Sequence, residues 1–382
     1  MQLQYSTKTL RVLLYFFMFL IVGGTLALYV LPQWSNVIEQ CPVYGTVTIA
    51  YAGVSIVLCL LIAQLCADVA DRVYNQLSRF GKPEPKLEHA IIVTAVGIVT
   101  LCGILFQNFY LTYMPLVGLV IYLLMSRENR TYLSHVWLRE FLFMVTSVTF
   151  GSIVAPITPI IFAVLAGLYT GRTRIATIFS ICYAIVLAVA VIKLANLGVS
   201  PIAVLVPGFA YLTQFADVAS LQFTVSNVNV PTAITKVFQF MVTNSYIAFL
   251  EELIGRATIP FAGPVLPTAL FVSLHIPTRV GVFFSPGFVS ASVPEYAIVQ
   301  VVSTLTLIAI ATIFLVRTYA MAGLVPSMLL HMLYDTYIDT LAIGQIVAVT
   351  LLFIVLVIYL VLVGLRSLMG GEEEPHQIIV ID

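Results

Sequence analysis

Charge is what this chain has least of. Only 9% of its 382 residues are Asp, Glu, Lys or Arg, against about 25% in an ordinary soluble domain. The 17 basic and 17 acidic side chains cancel, and no basic tract stands out. That removes nucleic acid from the expected partners. Cysteine is sparse as well: Cys41, Cys59, Cys66, Cys102 and Cys182 form neither a CxxC nor a metal-binding spacing. No cysteine follows Cys182, so the second half of the chain cannot use thiol chemistry. Free cysteines of this kind behave as small apolar packing residues. The helical HExxH of zinc proteases is absent, and so is the GxSxG of serine hydrolases. Tyr334-Asp335 has no second Asp in a glycine-rich partner motif, as a membrane aspartyl protease requires. Internal repeats and low-complexity tracts are also missing.

What fills the chain is hydrocarbon: 61% of residues are hydrophobic and the mean hydropathy is +1.07. The expected fold class is all-α, a polytopic transmembrane helix bundle. With about 20 apolar residues per span, the chain divides into about twelve segments (range about 10–13). They lie near 10–31, 43–66, 89–107, 109–125, 141–170, 175–195, 200–216, 236–256, 262–276, 295–316, 319–338 and 342–365. The first is too long for a signal-peptide core and lacks a small-residue cleavage site, so it reads as a retained helix. The run 141–170 is interrupted by Gly151, Pro156 and Pro159 and reads as a kinked helix or a re-entrant pair. The run 262–276 is short and proline-rich (Pro264, Pro267, Pro277).

Short loops rich in Lys and Arg face the cytoplasm. Lys8 and Arg11, then Arg72, Arg79, Lys82 and Lys86, then Arg127, Arg130 and Arg139 alternate with loops that have none. Arg317 and Arg366 continue the ladder, which puts both termini in the cytoplasm of a cell-membrane protein; Arg172 and Arg174 break it. The loop 67–88 reads as a hydrated connector with room for a short interfacial helix. The polar stretch 220–232 separates an N-terminal bundle of unassigned role (1–219) from a core at 236–366, followed by an acidic cytoplasmic tail at 367–382.

The core holds the costly groups. The stretch Phe249–Pro260, FLEELIGRATIP, places Glu251, Glu252 and Arg256 in an apolar segment. Charges inside a membrane cost several kcal/mol each, which makes them functional candidates by default. Glu252 and Arg256 are one helical turn apart and can pair, while Glu251 is rotated by about 100° from Glu252. A snorkelling cluster at a membrane edge is the alternative. Phe271 and His275 are four apart, as are His331 and Asp335, and Asp339 continues that line. A single histidine in an apolar helix is usually a hydrogen-bonded packing residue. Two of them, each spaced to share a pocket with a carboxylate, fit a hydrolytic site better. A carboxylate beside a neutral imidazole can take a proton from water, and a second imidazole can donate to an oxyanion. Glu251, His275, His331 and Asp335 are equally plausible zinc ligands.

These segments resemble the CPBP family of CAAX-protease and bacteriocin-processing (Abi) intramembrane proteases. The resemblance rests on Glu251-Glu252-Leu253-Ile254-Gly255-Arg256, Phe271-Val272-Ser273-Leu274-His275 and His331-Met332-Leu333-Tyr334-Asp335, after the approach Gly323-Leu324-Val325-Pro326. It covers roughly 236–366. It implies a glutamate-dependent endopeptidase that needs no cofactor. Glu251 would be the general base and His275 its partner on the water; His331 and Asp335 would face the oxyanion, and Glu252 with Arg256 would be a supporting ion pair. The implied partners are membrane lipids and a membrane-attached polypeptide, prenylated in some members, cut near its C-terminus. Two positions depart from the pattern. Asp335 replaces the commoner Asn, and an ionised Asp cannot donate to an oxyanion. Gly255 replaces an aromatic residue, which would loosen packing there. The competing readings are a transporter whose Glu251, His275, His331 and Asp335 relay protons or ions, and a catalytically silent immunity or binding protein of the same fold.

Overall fold

A computed structural model describes residues 42–78, 154–207, 230–284 and 293–342, together with residues 23, 140, 141, 143, 144, 147, 148, 151 and 152. Apart from residues 23 and 342, the expected spans at 10–31, 89–107, 109–125 and 342–365, and the tail at 367–382, lie outside the described residues. Among the described residues every element is helical. Four stretches are long and apolar enough to cross a membrane: Val47–Leu77, Thr173–Asn196, Val265–Phe283 and Pro294–Ala322.

Two long helices form the spine. Helix α1 (Pro42–Leu77) and the later Pro294–Ala322 run parallel and bury a common seam. At one end Tyr51 donates to Glu295 Oε1 at 2.6 Å. Midway, Cys66 Sγ donates to Ala309 O at 3.3 Å. At the other end the Tyr74 and Tyr319 rings stack at 6.3 Å. The sequence expectation ended α1 at Cys66 and read Asp68, Asp71 and Arg72 as a hydrated loop; the helix instead runs on to Leu77. Those charges occupy its last turns, with Asp68 paired to Arg172 at 3.3 Å.

Helices α2 (Thr158–Thr170) and α3 (Thr173–Asn196) form a tight hairpin against this spine. Lys193, near the end of α3, meets Glu295 at 2.7 Å, so α3 spans the bundle from the Tyr74 end to the Tyr51 end. Helix α2 has only 13 residues, about 20 Å of rise. The residues before it return to where it ends. Glu140 is held by Arg317 at 2.9 and 3.0 Å, and Met144 and Val148 pack on Ala311, Leu315 and Leu330. The chain then turns at residues 154–157, where Pro156 O accepts from the Tyr183 hydroxyl at 2.9 Å. Thr170 O finally accepts from Arg72 at 2.9 Å. Residues 140–170 therefore enter and leave at one end, as a re-entrant pair rather than a kinked helix. This removes the anomaly in the charge ladder, because Arg172 and Arg174 stand at the same end as Arg72 and Arg317. Arg317 itself is a helix residue and not part of a loop.

Helix α4 is five residues, Pro201–Leu205, in place of the expected start of a span at 200–216. Helix α5 (Val230–Gly255) begins six residues earlier than expected and takes in Val230–Thr232 of the proposed boundary; residues 220–229 lie outside the described residues. The segment 262–276 is three short helices: α6 (Ile259–Ala262), α7 (Val265–Leu274) and α8 (Ile276–Val280), followed by a 3₁₀ turn at Gly281–Phe284. Prolines at 260, 267 and 277 explain the breaks, since each lacks the N–H that an uninterrupted helix requires. Helix α9 (Pro294–Ala322) and helix α10 (Leu324–Ala342) are parted by Gly323 at φ 93°, a conformation open to glycine at no steric cost. The expected division at 316–319 thus falls inside α9. One hydrophobic core joins residues of α1, α2 and α3 to residues of α7, α8 and α9, so the early helices pack directly on α7, the segment that leads into His275.

Candidate active site

Three helices assemble the polar cluster: α5 brings Glu251 and Glu252 and leads into Arg256, α7 brings Phe271 and leads into His275, and α10 brings His331 and Asp335. Local geometry comes first. The (i, i+4) spacing lets Arg256 Nη1 approach Glu252 Oε1 at 3.2 Å. The same spacing brings His331 Nε2 to 3.4 Å from Asp335 Oδ2, and His275 Nδ1 to 2.9 Å from the Phe271 carbonyl. If that ring is neutral, Nδ1 carries the proton and Nε2 is left as an acceptor.

Packing then joins the three segments. His331 Nδ1 lies 3.0 Å from Glu252 Oε1. Its other nitrogen, Nε2, lies 3.6 Å from Glu251 Oε2. The same Glu251 oxygen is 3.9 Å from His275 Nε2. Glu251 is therefore flanked by both imidazoles, and His331 bridges the two adjacent carboxylates of α5. The contacts at 3.4–3.9 Å are ion-pair distances, longer than hydrogen bonds, as is common for catalytic groups before substrate binds. Exposure divides the pair: the Glu252 side chain is fully enclosed, whereas the Glu251, His275 and Asp335 side chains retain 29%, 24% and 27% of their surface.

The division matches the charges each carboxylate meets. Glu252 is compensated on every side, by Arg256, by His331 and by the Ser327 hydroxyl, which stands 2.5 Å from Oε2. Arg256 is buried to 1% and lies with its guanidinium carbon 4.1 Å from the centre of the Phe271 ring. That face-on cation–π contact is worth more when water is excluded. Phe271 also meets His331 edge-on, with ring centres 5.8 Å apart. Gly255 does not loosen this region. A Cβ there would come 3.2 Å from Phe271 Cδ2, so the missing side chain is what admits the aromatic ring beneath Arg256.

The seven residues given site or supporting roles from the sequence fall in this cluster, while Asp339 lies apart from it. Ser327 was missed; its only sequence signal is a hydroxyl four residues before His331 in α10. Also missed was Asn244, which donates to Asp339 at 2.8 Å and contacts Thr336 at 3.4 Å, two turns away along the same pair of helices. Among the described residues, no group of three or more His, Cys, Asp or Glu side chains is arranged to hold a metal ion. His331 Nδ1 is engaged by Glu252, and its Nε2 faces two carboxylates. Comparison with family models, curated proteins and solved structures gives no match to this chain.

Proposed function

We propose that the chain is a glutamate-dependent intramembrane endopeptidase of the CPBP type, cutting a peptide bond near the C-terminus of a membrane-attached polypeptide. The observation that carries the reading is the position of Glu251. It is the less buried of two adjacent carboxylates, and one of its oxygens faces both His275 Nε2 and His331 Nε2. A water held between Glu251 and His275 would lose a proton to the carboxylate and attack the carbonyl carbon. His331 would donate to the oxyanion as it forms. Its orientation is fixed from behind by Glu252, which is itself neutralised by Arg256 and so does not compete for the proton. Asp335 serves by orienting His331, or by donating while it holds a proton itself. The family reading carries with it prenylated tails, leader peptides and sorting-type tails as substrate classes.

The proposed topology places both termini in the cytoplasm of a cell-membrane protein. With 140–170 read as a re-entrant pair and 200–216 not read as a crossing, ten of the twelve expected spans remain, with the Arg72 end cytoplasmic. The cluster lies towards that end, since Glu252 is in the last turn of α5.

The test is cleavage of membrane-tethered tail peptides by the purified protein in detergent, comparing wild type with Glu251→Ala. Loss of about 10²–10⁴-fold in rate is expected when a general base is removed; cleavage that survives the substitution sinks the mechanism. Inhibition by a chelator that zinc reverses would favour the metal reading instead. A proton relay is the second reading, favoured by the Asn244–Asp339 contact that extends the polar line away from the cluster. Proton flux in liposomes that disappears in His331→Ala would establish it.

A further inference from the structure

A second feature of the bundle stands apart from the Glu251 cluster. The two arms of the re-entrant pair touch near the turn, where Thr158 Oγ1 donates to Gly151 O at 2.7 Å, and part beyond it. Between them, against α1 and α9, is a cavity of about 470 Å³, within the range of small-molecule sites. Gly151, Val154, Ile161, Phe162, Leu165 and Ile310 line it, and its walls are almost wholly apolar. Ile161 and Leu165 are exposed at its margin, so the slot opens sideways towards the membrane. From the turn at 154–157 to Tyr169 it follows α2 for about 17 Å, at about 1.5 Å per residue.

The end of the slot is different in character. Tyr169 and Val69 form it, and there the Arg72 guanidinium lies 5.9 Å from the Tyr169 ring centre. Tyr169 also donates to Gln76 at 2.7 Å. Arg172 and Arg174 stand beside this mouth at the α2–α3 link. Three guanidinium groups face two carboxylates here: Asp68 is taken by Arg172 and Asp71 by Asn75. The mouth therefore keeps a positive excess at the bundle end that the Lys/Arg rule puts in the cytoplasm.

We propose that this slot is a binding site for one anionic glycerophospholipid, its acyl chain lying between the arms of the re-entrant pair and its phosphate at Arg72 and Arg174. An apolar slot alone accepts any chain; the cationic mouth selects headgroup charge, and basic pockets between membrane helices on the cytoplasmic side have this property. Retention of such a lipid fills the void along Val154, Ile161 and Leu165.

Native mass spectrometry of the full chain in detergent, with equimolar dioleoyl phosphatidylglycerol and dioleoyl phosphatidylcholine, tests it. The wild type should retain one phosphatidylglycerol with a preference of about tenfold or more, since each nearby Arg contributes to anionic selectivity. Arg72→Gln with Arg174→Gln should abolish the preference while phosphatidylcholine still binds. Arg72→Lys, which keeps the charge, should retain it. Ile161→Trp with Leu165→Trp should reduce binding of both lipids by filling the slot. Equal retention of the two lipids by wild type overturns the proposal, as does full phosphatidylglycerol binding in the tryptophan variant. Displacement of phosphatidylglycerol by a lipidated peptide would also overturn it and give the slot to that peptide's chain.

Discussion

Glu252 and His331, far apart in sequence, meet through Oε1 and Nδ1 at 3.0 Å. Eight residues earlier on α5, Asn244 meets Asp339, eight residues later on α10, at 2.8 Å. Helices α5 and α10 are therefore antiparallel in a constant register, with polar rungs two turns apart. Ala248, buried and without a polar group, occupies the rung between them, level with Asp335. Asp335 thus meets nothing polar on α5 at its own level and is left to His331 Nε2 and the partly open space near Glu251. The register, more than any single contact, sets which carboxylate is enclosed and which is available.

The enclosed ion pair should behave as a unit. Arg256→Met leaves Glu252 buried with one counter-charge fewer, and Glu252→Met leaves Arg256 buried without its nearest counter-charge. Each single change is expected to cost about 3–5 kcal/mol, as removal of one partner of a buried pair does. The double substitution should recover much of that loss, because no uncompensated charge remains. Unfolding in detergent, followed by circular dichroism, measures all three. Additive costs would show that the two residues are not coupled.

Ser327 should be a positioning residue. Its hydroxyl is the contact that holds Glu252 Oε2, while Leu315 O lies 3.1 Å from Ser327 Oγ. Ser327→Ala is expected to cost about 1.5–3 kcal/mol, the range for a hydrogen bond to a charged group. If Glu252 orients His331 for chemistry, the rate of tail-peptide cleavage should fall with little change in KM, and Ser327→Thr should restore part of it. A stability loss with an unchanged rate would confine Ser327 to the fold.

Much of the cluster was legible because it is local. The pairs Glu252–Arg256, Phe271–His275 and His331–Asp335 are consequences of helical spacing, and their cost in an apolar setting marked them out. Ser327 and Asn244 were not legible, since a Ser or an Asn in a helix is unremarkable until the helix opposite is known. That Asp68, Asp71 and Arg72 continue the membrane helix, rather than lying in a connector with a separate short helix, was missed for a related reason. Charges signal the end of the hydrocarbon layer, but a helix can continue past that boundary, as α1 does to Leu77. The choice between a kink and a re-entrant pair at 140–170 depended on Glu140 reaching Arg317, a contact that no local pattern encodes.

Gly255 should resist enlargement. Gly255→Ala puts a methyl group 3.2 Å from Phe271 Cδ2, tighter than ordinary van der Waals contact, while the ring is held from the other side by Arg256 and His331. Overpacking of this kind costs about 1–3 kcal/mol, although alanine favours the helix itself by up to about 1 kcal/mol. Phe271→Leu should relieve the clash, so the double variant should be more stable than the sum of the single effects predicts. Thermal unfolding of the four proteins closes the cycle.

The topology can be tested without any assumption about activity. In a cysteine-free background, single cysteines at Asn75 and Arg174 should react with a membrane-impermeant maleimide from the same side. Both positions are exposed and lie at the Tyr74–Tyr319 end of the bundle. A cysteine at Val199, just beyond α3, is exposed and lies towards the opposite end, where Lys193 meets Glu295. It should react only from the other side. If 140–170 crossed the membrane as one kinked helix, Asn75 and Arg174 would be labelled from opposite faces unless another crossing were gained before residue 140. The Glu140 side chain is fully enclosed, so the distinguishing measurement is a third cysteine at the residue before it, Arg139. Labelling of positions 139 and 174 from one face supports the re-entrant pair. Opposite faces would require α2 to leave the Thr170–Arg72 and Tyr169–Gln76 contacts that hold its end beside α1.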